Sequence, residues 1–262
     1  MHDLLDLDAF PLDRPESAAH AALVERCRDD LARDGMFNLT GFLKPDAARA
    51  AVAEIAPAMA ARSFTHKRRH NIYFEDEIPS LAADHPALRL CETVNHTLCA
   101  DQIAGCVVMK VYSYAPLARF LAETMDKKGL YPMEDPLARV NVMAYRRGEA
   151  LNWHFDRAEF TTTLLLQAPE AGGAFVYRPA LRTDDDPNYA GVARLLNGDD
   201  PDARVLDLAA GTLNVFRGKN TAHRVTPVAG GRERVIAVFS YYERPGVTFS
   251  QAERIGFYGR AG

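Results

Sequence analysis

The chain has 262 residues, 48% apolar and 25% charged, and its 31 Lys and Arg against 35 Asp and Glu give a formal net charge of −4. This is globular usage that excludes a disordered or low-complexity chain, and the lack of a basic excess removes the electrostatic footprint of non-specific nucleic-acid binding. No apolar run approaches the roughly 20 residues that span a bilayer, and the acidic segment Met1 to Phe10 lacks the basic-then-apolar order of a secretory leader.

The first third reads as mainly helical. Ser17 can cap a helix in which Leu23, Cys27 and Leu31 recur at helical spacing and which Gly35 ends. Met36 to Leu39 and Gly41 to Leu43 read as short strands. Pro45 and Asp46 open an alanine-rich helix to about Ala61. The basic run Lys67-Arg68-Arg69-His70 then leads into Asn71-Ile72-Tyr73-Phe74, and such a run is usually a solvated face. A third helix is predicted from Pro86 to Asp101, a buried strand from Cys106 to Tyr114, and an amphipathic helix from Leu117 to about Lys127. Cysteines 27, 91, 99 and 106 are too dispersed for a zinc ribbon or a disulfide scaffold and read as reduced thiols of a cytoplasmic protein.

From Arg139 to Glu243 the pattern changes to short β-branched and aromatic runs between Gly, Pro and Asp turns. The runs are Val140 to Tyr145, Phe160 to Gln167, Ala174 to Tyr177, Thr212 to Phe216 and Val235 to Tyr242. Strands at this spacing predict an antiparallel sandwich or barrel. An acidic insert, Asp184 to Asp202, carries a helical pattern over Tyr189 to Leu196 and reads as a surface excursion or lid. The predicted architecture is one α+β domain: a helical support region over 1–138, a β core over 139–244, and a C-terminal cover segment over 245–262.

His154, Asp156 and His223 carry the chemistry. Side chains two apart in extended chain share a face, so His154 and Asp156 can reach one metal ion. His-x-Asp alone is common by chance. A second histidine between two later strands can complete two imidazoles and one carboxylate, the facial arrangement of non-haem iron oxygenases. Eleven residues beyond His223, Arg234 opens the apolar strand Val235-Ile236-Ala237-Val238-Phe239. A guanidinium in that position needs an anionic partner, and a bidentate carboxylate matches its fork.

The order Tyr145, Gly148, His154-Phe155-Asp156, Gly172-Gly173-Ala174-Phe175, Gly211-Thr212-Leu213, His223 to Val228 and Arg234 resembles the Fe(II)/2-oxoglutarate-dependent dioxygenases, closest to the prolyl 4-hydroxylase-like branch. The resemblance implies a double-stranded β-helix, jelly-roll or cupin-like, with N-terminal helices packed on one sheet. Asn152 to Asp156, the helical upstream half and Arg254 to Arg260 further resemble the bacterial oxygenases of free amino acids, the lysine halogenases and their hydroxylase relatives. Chlorinating members carry Gly or Ala at the carboxylate ligand, so Asp156 implies hydroxylation.

From the resemblance, Fe(II) would sit on His154, Asp156 and His223, 2-oxoglutarate would chelate it, and dioxygen would take the last position. Arg234 would pair with the far carboxylate of 2-oxoglutarate, with Arg232 as the competing arginine, and Tyr145 is either a second donor there or a core aromatic. A free amino acid needs a cation and an anion; Arg69 or Arg68 and Glu134 or Asp135 are candidates, with Trp153 and Ser240 as further lining residues. Phe257 and Tyr258 could fold back as a lid. His70 is the one remaining histidine to watch. Two other readings stay open: a hydroxylase of a protein side chain, and a jelly-roll binding module without catalysis.

Overall fold

A computed structural model describes residues 1–262. Its first helix forms where its caps allow. Ser17 Oγ accepts the His20 N–H at 3.1 Å, and Gly35, at φ 72°, ends α1 (Ala18–Asp34) with its N–H on Leu31 O. β1 (Met36–Leu39) follows, and Pro45 at the first position opens α2 (Pro45–Arg62). Next come β2 (Phe64–His70), β3 (Cys91–Cys99), α3 (Val107–Tyr112), α4 (Ala115–Thr124) and β4 (Tyr131–Pro132). The later half contains β5 (Val140–Tyr145), β6 (Leu151–His154), β7 (Thr161–Gln167), β8 (Ala171–Gly172), β9 (Phe175–Arg178) and α5 (Tyr189–Asn197). It closes with β10 (Arg204–Leu206), β11 (Leu213–Phe216), β12 (Ala222–Val225), β13 (Val228–Ala229), β14 (Arg234–Phe239), β15 (Tyr241–Tyr242) and α6 (Gln251–Tyr258).

Two antiparallel sheets face each other. The larger has seven strands in the order β1-β11-β7-β14-β5-β3-β2, and the smaller has four in the order β10-β9-β12-β6. Alternation along each strand sorts the side chains. Val140, Val142, Ala144, Leu164, Leu166, Val235, Ala237 and Phe239 turn away from the small sheet and join Leu23, Leu31, Ala51, Ile55 and Phe120 of the helices in the main core. Their neighbours Tyr145, Leu165 and Ile236 turn the other way, toward Leu151 of the small sheet. The outer face of the small sheet is covered in turn by α5, whose Val192 and Leu195 pack on Ile72, Phe155 and Ala222.

Two expected elements are of the other type. Pro86 to Asp101 is not a helix: a single 3-10 turn, Pro86–Leu88, leads into β3. Thr93, Asn95 and Thr97 alternate with Val94, His96 and Leu98, and pairing with β2 on one side and β5 on the other overrides local helical propensity. Cys106 to Tyr114 is not a strand but contains α3. Its valines bury one helical face, Val107, Val108 and Val111, and the free N–H of Val107 is capped at 2.7 Å by Glu54 from α2. The strand expected over Val235 to Tyr242 breaks at Ser240 into β14 and β15.

The basic run lies on β2, the edge of the large sheet, where Lys and Arg discourage pairing with another chain. Thus the first hundred residues supply both edges of the large sheet, β1 and β2, and the strand next to one of them, β3. All four cysteines are unpaired. No helix is long and apolar enough to cross a membrane.

Candidate active site

β6 and β12 pair with His154 directly opposite His223, so the sheet register itself brings the two imidazoles together, with ring centroids 4.1 Å apart. Past the end of β6 the Asp156 N–H binds Gly218 O at 3.0 Å, which turns its carboxylate back toward both rings. Asp156 Oδ1 lies 3.4 Å from His154 Nε2, and Oδ2 lies 3.5 Å from His223 Nε2. One ligand atom from each of the three residues falls within 4.8 Å of the others. Neighbouring ligands of an octahedral ion with ~2.1 Å bonds stand ~3.0 Å apart, so small side-chain shifts suffice to close the shell.

Proton positions favour a metal. His154 Nδ1 donates to Asn152 O at 2.8 Å and His223 Nδ1 to Thr221 O at 3.0 Å. A carbonyl can only accept, so both Nδ1 atoms carry a proton and both Nε2 atoms face inward. Burial pushes His223 down to about 4, aided by the nearby His154 and opposed by Asp156, so its imidazole is neutral near pH 7. For Asp156 burial works upward, but His223, His154 and the Thr161 hydroxyl outweigh it and hold the carboxyl well below its ordinary range. The result is two imidazole nitrogens and one anionic oxygen, a donor set suited to Fe(II).

Gly218 is a site residue that the sequence did not mark. A Cβ there would lie 2.3 Å from Asp156 Oδ2 and 2.7 Å from Thr161 Oγ1. Only a glycine lets the carboxylate lie back against the 217–221 loop with its Thr161 hydrogen bond intact.

Arg234 lies deeper, opposite Tyr145 on β5 and only 2% exposed. Burial pulls the guanidinium down to about 10, and its only opposing influence is the Tyr145 hydroxyl, itself pushed up by burial to about 12. Tyr145 has only the Met143 sulfur, 3.8 Å away, as its partner. A fully buried cation that the protein leaves without a carboxylate requires an anion from elsewhere. The Gly172-Gly173 turn packs on it: a Cβ at Gly173 would come 3.2 Å from Arg234 Cδ, and one at Gly172 would strike Pro227 O at 2.1 Å. Arg232, by contrast, is exposed and spends its guanidinium on the carbonyls of Ala168 and Pro169.

The other candidates scatter. Arg69 pairs with Glu92 in the β2–β3 ladder, on the opposite face of β2 from His70, while Arg68 shares the His70 face and stacks on the Phe74 ring at 4.7 Å. Phe74 stands 5.9 Å from the His154 ring, and His70 6.4 Å. Both nitrogens of His70 are engaged, by Asn71 O and Thr93 Oγ1. Glu134 accepts the Gly246 N–H. Asp135, fully buried, accepts from Leu137, Ala138, Phe249 and the Arg254 guanidinium, so it fastens the C-terminal segment. Ser240 donates to Ala138 O. Trp153 projects from the outer face of the small sheet, beneath Arg224. Tyr258 is buried and donates to Asn141. The inner face of β2 and β3 brings His66, Arg68, Asn95 and Thr97 to the triad side of the large sheet; the alternation that places Asn95 and Thr97 lies in the segment read as a helix.

A family model described as Halogenase D matches residues 19–252. No curated protein matches the chain. Among solved structures, an oxidoreductase of the 2OG-Fe(II) oxygenase family from Burkholderia pseudomallei is 17% identical, with 85% of this chain and 92% of that one covered and a TM-score of 0.51. A Pseudomonas putida prolyl-4-hydroxylase is 18% identical over 85% of this chain and all of its own, with a TM-score of 0.53. The non-heme alpha ketoglutarate dependent epimerase SnoN, from nogalamycin biosynthesis, reaches a TM-score of 0.58 at 13% identity, covering 85% and 83% of the two chains. These likenesses show the fold, the double-stranded β-helix.

Proposed function

The chain belongs to the halogenase D family, and we propose that this member is an Fe(II)- and 2-oxoglutarate-dependent hydroxylase of a small molecule, a free amino acid or a close analogue. The observation that carries the reading is Asp156. A carboxylate fills the third ligand position, and Gly218 and Thr161 hold it there, which leaves no ligand vacancy at that position for chloride. The buried and unpaired Arg234 supplies the seat for the far carboxylate of 2-oxoglutarate, with Tyr145 beside it. When bound, iron with 2-oxoglutarate and dioxygen supplies the oxidising power for C–H hydroxylation, and the cosubstrate leaves as succinate and carbon dioxide.

The chain's own share is orientation and exclusion of water. The Asn152 and Thr221 carbonyls fix the tautomers of the two imidazoles, and the depressed basicity of His223 keeps its lone pair available. Phe74 and His70 shield one side of His154. Arg68, on the inner face of β2, is the cation best placed for a substrate carboxylate. A small substrate is favoured by the cover over the mouth. α6 reaches from the Phe64 ring, against Gly259, to the metal loop, where Glu253 meets Arg157 at 3.5 Å. The whole chain then acts as one oxygenase domain.

The test is to load the protein with iron anaerobically, add 2-oxoglutarate and each common amino acid in chloride buffer, admit air, and follow succinate and product mass. The expected product has gained one oxygen atom. A chlorinated product overturns the hydroxylase assignment, turnover of peptides alone overturns the small-molecule assignment, and absence of succinate with every substrate overturns the cofactor assignment.

A further inference from the structure

A second cavity opens on the other side of the small sheet from the triad. Trp153 and Arg224 alternate with His154 and His223 along β6 and β12, so they project from the outer face. With His70, Ile72, Arg89, Cys91, Asn152 and Leu196 they line a space of about 180 Å3 beside α5. A cavity of this order holds a ligand about the size of benzene.

Its chemistry is lopsided. Two guanidiniums face it and no acidic residue lines it. The carboxylates nearby in sequence are committed elsewhere, Glu92 to Lys67 at 3.2 Å and Asp200 to Arg178 at 3.1 Å. Arg224 is half-buried, its Nε has no hydrogen-bond partner, and its guanidinium lies 4.9 Å over the Trp153 ring. A guanidinium placed over an indole can still offer its donor fork to a planar oxyanion. Arg89, exposed at the rim, adds a second donor fork. The rest of the wall is the Trp153 ring, Ile72, Cys91 and Leu196, with Asn152 and with His70, whose two ring nitrogens are already engaged.

We propose that this cavity is a binding site for a small organic carboxylate, its oxyanion on Arg224 and Arg89 and its apolar body against Trp153 and Leu196. The site shares no ligand with the iron centre but borders it: His70 lines the cavity and stands 6.4 Å from the His154 ring, and the strand that presents Trp153 to it presents His154 to the triad one residue later.

Trp153 is the only tryptophan in the chain, so emission excited selectively at tryptophan, beyond the absorption of the tyrosines, comes from the wall of this cavity. The full chain is titrated with sodium benzoate and, at matched ionic strength, with inorganic phosphate. Benzoate is expected to change the emission saturably, and phosphate to bind at least about tenfold more weakly because it cannot use the apolar wall. Arg224→Gln is expected to weaken benzoate by about tenfold or more and Arg89→Ala by a few-fold. Arg89 is exposed, so its variant carries no folding risk. Leu196→Phe, which fills the space, is expected to weaken benzoate with both cations intact. Arg234→Met, on the far side of the sheet, is expected to leave the titration unchanged. The proposal is overturned by an unsaturable wild-type response, by phosphate binding as tightly as benzoate, by benzoate affinity that is indifferent to Arg224 and Arg89, or by loss of binding in Arg234→Met.

Discussion

The two faces of the seven-stranded sheet are built from the same strands and do opposite work. On the helix side β5, β7 and β14 present Val140, Val142, Leu164, Leu166, Val235 and Ala237, all buried with the helices. On the other side the same strands present Asn141, Tyr145, Thr163 and Arg234, buried but polar, and β3 adds Asn95 and Thr97. Apolar burial stabilises by roughly 25 cal/mol per Å2, whereas a buried polar group costs free energy unless it is partnered. The difference shows that one face holds the fold by apolar contact while the other is polar and mostly partnered within the chain, Asn141 by Tyr258, Asn95 by Thr97 and Thr163 by Asn214, with Arg234 left without a carboxylate. The period of two residues makes this possible: a strand can serve both purposes because neighbouring side chains never share a face.

The comparison breaks most sharply at the triad. His154→Ala or Asp156→Ala is expected to abolish 2-oxoglutarate turnover, by about a thousandfold or more, with unfolding unchanged within ~1 kcal/mol for the metal-free chain. Succinate formation and denaturant melts check both, and an active His154→Ala removes it from the ligand set. On the opposite face, Leu164→Ala is expected to cost ~2–5 kcal/mol of stability while the apparent KM for 2-oxoglutarate stays within about twofold. A large KM change there would show that the two faces are not separable. Next, Arg234→Met is expected to raise that KM about a hundredfold, equivalent to ~2.7 kcal/mol, and Arg232→Met less than about twofold. The reverse order moves the anion seat to Arg232. A smaller effect than that of Arg234→Met is expected from Gly218→Ala, where the added methyl displaces Asp156 and weakens iron binding about tenfold, read by metal titration. Unaltered iron affinity would show that the carboxylate does not need that notch.

Legibility followed the range of the interactions. The cap at Ser17, the stop at Gly35 and the start at Pro45 depend on residues within one turn, and α1 and α2 lie within a residue of their expected ends. Five strands between Val140 and Phe239 were readable because each is a short apolar run between turn residues, but β6 and β12 were not, and His223, expected between two strands, lies on β12. Cys91 to Cys99 was not, because its alternation becomes decisive only when β2 and β5 pair on either side. Cys106 to Tyr114 misled in the other direction: valines suggest a strand, but Glu54 from a distant helix caps a helical turn. In the site, the residue types at 154, 156, 223 and 234 could be singled out from spacing. Gly218 could not, since its role is the space that it leaves. Nor could the difference between Arg68 and Arg69, which is one of strand parity.

By itself the sequence determined the alternating strands of the second half, the helix caps of the first, and the presence of two imidazoles, a carboxylate and a guanidinium at suggestive intervals. Those are properties of neighbouring residues, governed by local sterics and periodicity. Only the tertiary structure decided that β6 and β12 pair in the register that sets His154 opposite His223, and that Arg234 is buried with no carboxylate of its own. It alone also turned Trp153 and Arg224 outward into a second cavity. Pairing register and burial depend on segments dozens of residues apart, and a shift of one residue in either strand would exchange every face.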